Sequence, residues 1–127
     1  MTKTISRFSP AIGWLFITTF LLTLPGSAIP EENWLDKIWA DKWIHIALFA
    51  LLVILWCRGV TKKAIEKKLL TKHFIAITIL AIGYGIGMEF VQRYLIPNRS
   101  FDIIDILADA AGCMIGLGFC LRRYIKK

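Results

Sequence analysis

The sequence predicts an all-α integral membrane protein: a four-helix bundle, one domain over residues 1–127, with both termini cytoplasmic. Three observations predict it. The chain of 127 residues is 57% hydrophobic with a mean hydropathy of +0.61, above an ordinary soluble domain. The apolar residues gather into four runs, about residues 8–24, 41–57, 74–94 and 102–121, each near the length that crosses a bilayer. The basic residues, 16 Lys+Arg against 9 Asp+Glu, flank those runs. That is the pattern of span ends, not of a nucleic-acid-binding face.

The first run, Phe8 to Leu24, is uncharged and follows a short polar start with Lys3 and Arg7. Pro10 falls in its expected first turn, where a missing N–H is harmless. A secretory signal cleaved near Gly26-Ser27-Ala28 is the rival, but the run is long for a signal sequence, and a retained span is expected. Pro25, Gly26 and Pro30 end the helix. The loop that follows carries Glu31, Glu32 and Asp36, with Trp34, Trp39 and then Trp43 forming an interfacial belt. The second span opens at Asp41-Lys42-Trp43-Ile44-His45, with Asp41 and His45 one turn apart on one face. Between Arg58 and His73 the lysines at 62, 63, 67, 68 and 72 suggest a short amphipathic helix. Its Ala64, Ile65, Leu69 and Leu70 would face the bilayer.

The third span, Phe74 to about Tyr94, contains Gly83 and Gly87 at small-xxx-small spacing, which allows close helix packing. Gly85, Glu89 and Gln92 line another face. Pro97 and Asn98 make the turn. In the fourth span Asp102, Asp105, Asp109, Gly112 and Gly116 step by three and four, giving one face that is polar at its start and small further in. Gly112 and Gly116 are expected packing positions. The three cysteines show no metal-ligand spacing and are an odd count, so small apolar packing is expected of them.

Charge sets the expected orientation. Lys3, Arg7, the cluster from Arg58 to Lys72, and Arg122, Arg123, Lys126 and Lys127 fall on one side of a four-span model. Only Lys37, Lys42, Arg93 and Arg99 fall on the other. The positive-inside rule puts the first side in the cytoplasm, which makes this a multi-pass protein of the inner (cytoplasmic) membrane. The start of span two, the end of span three and the start of span four then share the outer interface. Asp41, Lys42, His45, Glu89, Gln92, Arg99, Asp102, Asp105 and Asp109 become candidates for one outward-facing, ligand-binding pocket. Asp109 would lie roughly 6 Å deeper than Asp105. Ionisable residues in a span are costly and mark functional sites.

The ordered set Asp41-Lys42, His45, Glu89, Gln92, Arg99, Asp102, Asp105, Gly112 and Gly116 resembles the VanZ-like family of small membrane proteins over about residues 41 to 116. Asp109 stands where that family commonly has Asn, and Phe49 where it often has Tyr. The resemblance implies a multi-span membrane protein and brings no reaction with it. The founding member is linked to low-level resistance to the glycopeptide teicoplanin.

Each candidate also has a purely structural reading. Asp41 is suited to cap a helix and Lys42 to anchor it. Glu89 and Arg93 are spaced for a local ion pair, and Gln92 is suited to interhelical hydrogen bonding. Three functions compete for the set. The first is a binding module for a cell-envelope lipid headgroup or amphiphile, with Lys42, His45 and Arg99 receiving an anionic group. The second is an acid–base or metal-dependent enzyme acting on lipid-linked substrates through His45, Glu89 and Asp105. The third is a small proton-coupled transporter using Glu89 and Asp109, working as a homo-oligomer. No metal motif or cofactor is expected, no catalytic residue is assigned, and nucleic acid is excluded as a partner.

Overall fold

The computed structural model describes residues 2–23, 40–61, 66–95 and 103–125, and for residues 2–6, 40 and 41 the backbone alone. Four helices account for nearly all of it: α1 Thr2–Leu22, α2 Ala40–Val60, α3 Lys67–Leu95 and α4 Ile103–Cys120. A wider turn, Leu121–Ile125, prolongs α4. Among the described residues there is no strand. The helical stretches Lys42–Val60, Lys67–Leu95 and Ile103–Ile125 are long and apolar enough to cross a membrane; the apolar part of α1, Arg7–Leu22, is shorter.

Two boundaries differ from expectation. Helix α1 begins at Thr2, so Pro10 lies inside it. That ring removes one backbone bond, a loss that neighbouring helices make tolerable in membrane segments. Helix α3 begins at Lys67, because nothing between Lys67 and Phe74 breaks a helix. The Leu70 N–H bonds the Glu66 carbonyl at 2.9 Å to open its first turn. Lys67 to His73 therefore belong to the third helix, and Leu70 is buried in the bundle while Leu69 is exposed. Residues 24–39, 62–65 and 96–102, on which the expected first loop, the start of the expected amphipathic helix and the expected turn at Pro97 and Asn98 fall, lie outside the described residues.

The direction of each helix follows from its contacts. Along α2 and α4 the pairs Lys42 with Asp105 and His45 with Asp109 come first. Ile46 with Gly112 and Ala50 with Gly116 follow in the same order. These helices therefore run parallel. Helix α3 runs antiparallel to both: Gly85 abuts Asp109, and Phe74 meets Tyr124 edge-on at 6.1 Å. Helix α1 runs antiparallel to α2. Phe8 lies against Trp56 with ring centroids 5.5 Å apart, and the Trp14 indole N–H donates to the Leu48 carbonyl at 3.0 Å. The bundle thus alternates up and down. The start of α1 and the end of α4 share one end; Leu22, Lys42, Gln92 and Asp105 share the other.

Helix α2 makes its most extensive contact with α4 and also packs against α1 and α3. Its Leu48, Phe49, Leu52, Val53 and Cys57 are buried on more than one side. Helix α3 instead buries one stripe, Leu70, Phe74, Thr78, Ala81, Gly85, Met88, Glu89 and Gln92, at steps of three and four. Its opposite face, including Ile75, Ile79, Leu80 and Phe90, is exposed and apolar, as a lipid-facing surface would be.

The glycines separate into two groups. A Cβ on Gly112 would collide with the Ile46 carbonyl, and one on Gly116 would lie 2.7 Å from the Ala50 carbonyl oxygen. Small residues at these points let the α2 and α4 backbones approach closely. Gly83 and Gly87 do not pack within the bundle, contrary to the expectation from their spacing: both are exposed, and a Cβ on either would meet nothing within 4 Å. The packing glycine of α3 is Gly85. It lies on the opposite side of the helix, where a Cβ would come 2.9 Å from an Asp109 carboxylate oxygen.

Candidate functional site

The site begins as a helix periodicity. Lys42 and His45 are separated by three residues on α2, and Asp105 and Asp109 by four on α4, so each pair occupies one face. Because α2 and α4 run parallel and touch, the two faces meet in register. The Lys42 Nζ lies 2.5 Å from Asp105 Oδ1, with the two side chains 13% and 10% exposed. One turn deeper, His45 Nδ1 lies 2.7 Å from Asp109 Oδ1, with those side chains 8% and 3% exposed. His45 Nε2 faces the other Asp105 oxygen, Oδ2, at 3.9 Å. The four groups form a chain, lysine, carboxylate, imidazole, carboxylate, leading from the end of the bundle inward.

Helix α3 closes the third side. Gly85 leaves room for the Asp109 carboxylate against the α3 backbone, and Glu89, 1% exposed, stands one turn further along. It shares the buried stripe of α3 with Gly85. Gln92 is equally buried, but its amide serves a specific structural bond, donating from Nε2 to the Leu22 carbonyl at 2.7 Å. That carbonyl lies in the last turn of α1, where helical backbone acceptors lack intrahelical partners. Gln92 therefore ties α1 to α3, as does the 2.5 Å hydrogen bond between the Thr19 and Tyr84 hydroxyls.

The structure brings together Lys42, His45, Glu89, Asp105 and Asp109, with Gln92 one turn beyond. Asp41 belongs to α2, but its side chain lies outside the described residues, as do Arg99 and Asp102. Arg93 is exposed and lies over the Tyr94 ring, 5.5 Å from its centroid. Among the described residues no three His, Cys, Asp or Glu side chains are grouped to hold a metal ion. Sequence reasoning gave Gly85 no role of its own. Its signal was membership of the Glu89–Gln92 face.

Chemically, the Asp109 carboxylate fixes one nitrogen of the His45 ring and leaves the other facing the Lys42–Asp105 pair. A carboxylate that orients an imidazole in this way sets which nitrogen meets an incoming group. The outer pair offers one cationic donor and one anionic acceptor side by side.

Spans long and apolar enough for a bilayer, enclosing a buried ionisable cluster near one end, define a small multi-span helical membrane protein. The chain belongs to the VanZ/LLP1 family, whose model matches residues 4–125, nearly its whole length. It is 30% identical over 107 residues to "Uncharacterized protein C11E3.10" of Schizosaccharomyces pombe. The match covers 81% of this chain and 55% of that protein, so the chain spans about half the length of this relative. No solved structure shows a significant match.

Proposed function

We propose that the protein binds the polar headgroup of an amphiphile, a cell-envelope lipid being the foremost class, at the end of the bundle formed by Lys42, His45, Glu89, Asp105 and Asp109. One observation carries this reading: the polar chain is graded. The Lys42–Asp105 pair is the more exposed, and the His45–Asp109 pair is sealed beneath it. A ligand can meet the outer pair while the inner pair holds its position. Purely structural pairing accounts poorly for this, because desolvation offsets much of what a buried ion pair gains, and apolar residues would pack as well.

The positive-inside distribution supports an outward-facing site in the cytoplasmic membrane, with both termini inside. In such a setting, any effect on teicoplanin susceptibility would follow from handling an envelope lipid. Arg99 and Asp102, near in sequence to the start of α4, are further candidates for contact. The test is titration of the purified protein in detergent with short-chain phospholipids, followed calorimetrically. The wild type is expected to bind, and Lys42→Ala to bind about tenfold or more weakly with its helical content unchanged. Equal binding by the two proteins would remove the reading.

A second reading has its own observation. The 2.7 Å contact of His45 Nδ1 with Asp109 leaves Nε2 directed toward the outer pair, a placement suited to general acid–base catalysis on a bound headgroup. Turnover of a lipid phosphate that His45→Gln abolishes would establish it. Transport is the weaker alternative, because the acids gather toward one end of the bundle and do not span its length.

A further inference from the structure

We infer that the end of the bundle opposite the polar pocket is a docking surface for an anionic phospholipid, seated along one face of α3 with its phosphate at Lys68 and Lys72. The inference concerns a different part of the molecule from the headgroup reading above and does not depend on it. The observation that carries it is a change of character along a single stripe. Lys68, Lys72, Ile75 and Ile79 step by four, three and four, so they share one helix face, and all four are exposed. The stripe is apolar from Ile75 inward and cationic in the first turns of the helix.

The length of α3 creates this arrangement. The helix begins at Lys67 and not at the apolar run, so the two lysines are fixed one turn apart, about 6 Å along the axis. Ile79 lies about 10 Å beyond Lys72. An acyl chain lying on the isoleucines brings its phosphate to the depth of the lysines. The lysine stems rest on apolar surface while their ammonium groups reach outward, and two flexible stems one turn apart can serve one phosphate.

The surrounding charge has one sign. The edge-on contact of Phe74 with Tyr124 brings the end of α4 beside the first turns of α3, so exposed Arg122 and Arg123 lie at the same end as the lysines. Arg58, also exposed, belongs to the last turn of α2 here. Among the described residues Glu66 is the one acid at this end, and no described carboxylate forms an ion pair with Lys68, Lys72, Arg122 or Arg123. At the other end, by contrast, Lys42 is joined to Asp105. Cations at the membrane surface attract anionic headgroups, and the positive-inside rule assigns this end to the cytoplasmic leaflet, whose surface is negative. A soluble polyanion would answer the charge alone. A phospholipid answers both the charge and the isoleucine face that continues from it.

The experiment titrates the full chain in a non-ionic detergent with dihexanoyl phosphatidylglycerol and, as a control with equal tails, dihexanoyl phosphatidylcholine, each below its micelle concentration. Glycerophosphoglycerol supplies the headgroup without chains, and polyglutamate a soluble polyanion. At low ionic strength wild type is expected to prefer phosphatidylglycerol by about tenfold. The preference should shrink in 1 M salt, where charges are screened beyond about 3 Å. Each surface cation is worth about fivefold, so Lys68→Gln with Lys72→Gln should remove most of the preference, while Lys68→Arg with Lys72→Arg should keep it. Both positions are exposed, and unchanged helical content in the Gln pair separates lost binding from lost folding. Equal affinity of wild type for the two lipids, or a preference that the Gln pair retains, overturns the inference. Glycerophosphoglycerol binding as tightly as the lipid overturns it too, because the chain would then contribute nothing. Displacement of phosphatidylglycerol by polyglutamate at equal charge would assign the surface to an acidic soluble partner instead. The polar pocket is tested separately through Lys42→Ala, so failure of one reading leaves the other in place.

Discussion

The two ends of the α2–α4 contact are built from the same helices in the same register, yet are held by different forces. Toward one end, Gly112 and Gly116 bring backbone against backbone at Ile46 and Ala50. Beyond them lie the buried thiols of Cys57 and Cys120. At the other end the same two helices are joined by Lys42–Asp105 and His45–Asp109. Close packing sets the distance between the helices, and the polar end inherits that distance. The comparison teaches that two kinds of contact divide the work along one helix pair: the small-residue seam can hold the bundle, while ionisable pairs of this kind contribute little net stability.

The sharpest way to break the comparison is Gly112→Val. The added side chain must displace the Ile46 carbonyl, which belongs to backbone and cannot rotate aside. Here the obstacle is backbone and not a side chain that can repack, so the cost exceeds that of ordinary overpacking: α2 and α4 are forced apart along their length and the native bundle is not expected to form. The expected result is the largest loss of thermal stability of any single change, together with loss of headgroup binding, measured by melting in detergent and by the lipid titration. A variant that melted like wild type would show that the seam does not hold the bundle.

The next effect separates the two ends. Asp109→Ala leaves His45 buried without its carboxylate and is expected to cost about 3–5 kcal/mol. Replacing both members, His45→Leu with Asp109→Leu, removes the polar end altogether and is expected to restore most of that stability, because an apolar pair of similar volume is often neutral. Binding should be lost in both. Unfolding curves of the single and double variants, compared as a cycle, measure the difference. If the double variant were as unstable as the single, the polar end would be part of what holds the fold.

How much of this was legible in the sequence depended on whether spacing alone determined a face. On α4 it did. Asp105, Asp109, Gly112 and Gly116 recur at three and four, and all four are buried on one side. On α3 it did not, because glycines at 83, 85 and 87 offer two opposite faces, and the familiar small-xxx-small spacing selects Gly83 and Gly87. The face that packs is the one shared with Glu89 and Gln92, since buried polar groups need partners inside the bundle. Gln92 itself was readable as an interhelical donor, but its acceptor was not. The Leu22 carbonyl is a backbone atom on a different helix, and no side-chain pattern points to it. That α3 begins before the apolar run was not legible for a related reason: the lysines before Phe74 read as an interfacial boundary, while helix propensity carries the helix straight through them.

The smallest expected effect tests that assignment of faces. Gly83→Ala and Gly87→Ala place methyl groups in open space on the exposed side of α3. Each removes the backbone-entropy penalty of a helical glycine, about 1 kcal/mol relative to alanine. Melting temperatures should hold or rise slightly, and binding should be unchanged. Gly85→Ala makes the same chemical change two residues away. Its methyl group would press on the Asp109 carboxylate at 2.9 Å and on the Phe49 ring at 3.1 Å, so stability and binding should both fall. The contrast depends only on which side of one helix a methyl group is placed. A fall in stability for Gly83→Ala or Gly87→Ala that deepens with protein concentration would mean that the exposed glycine face packs against a second copy, and the bundle would then have two seams.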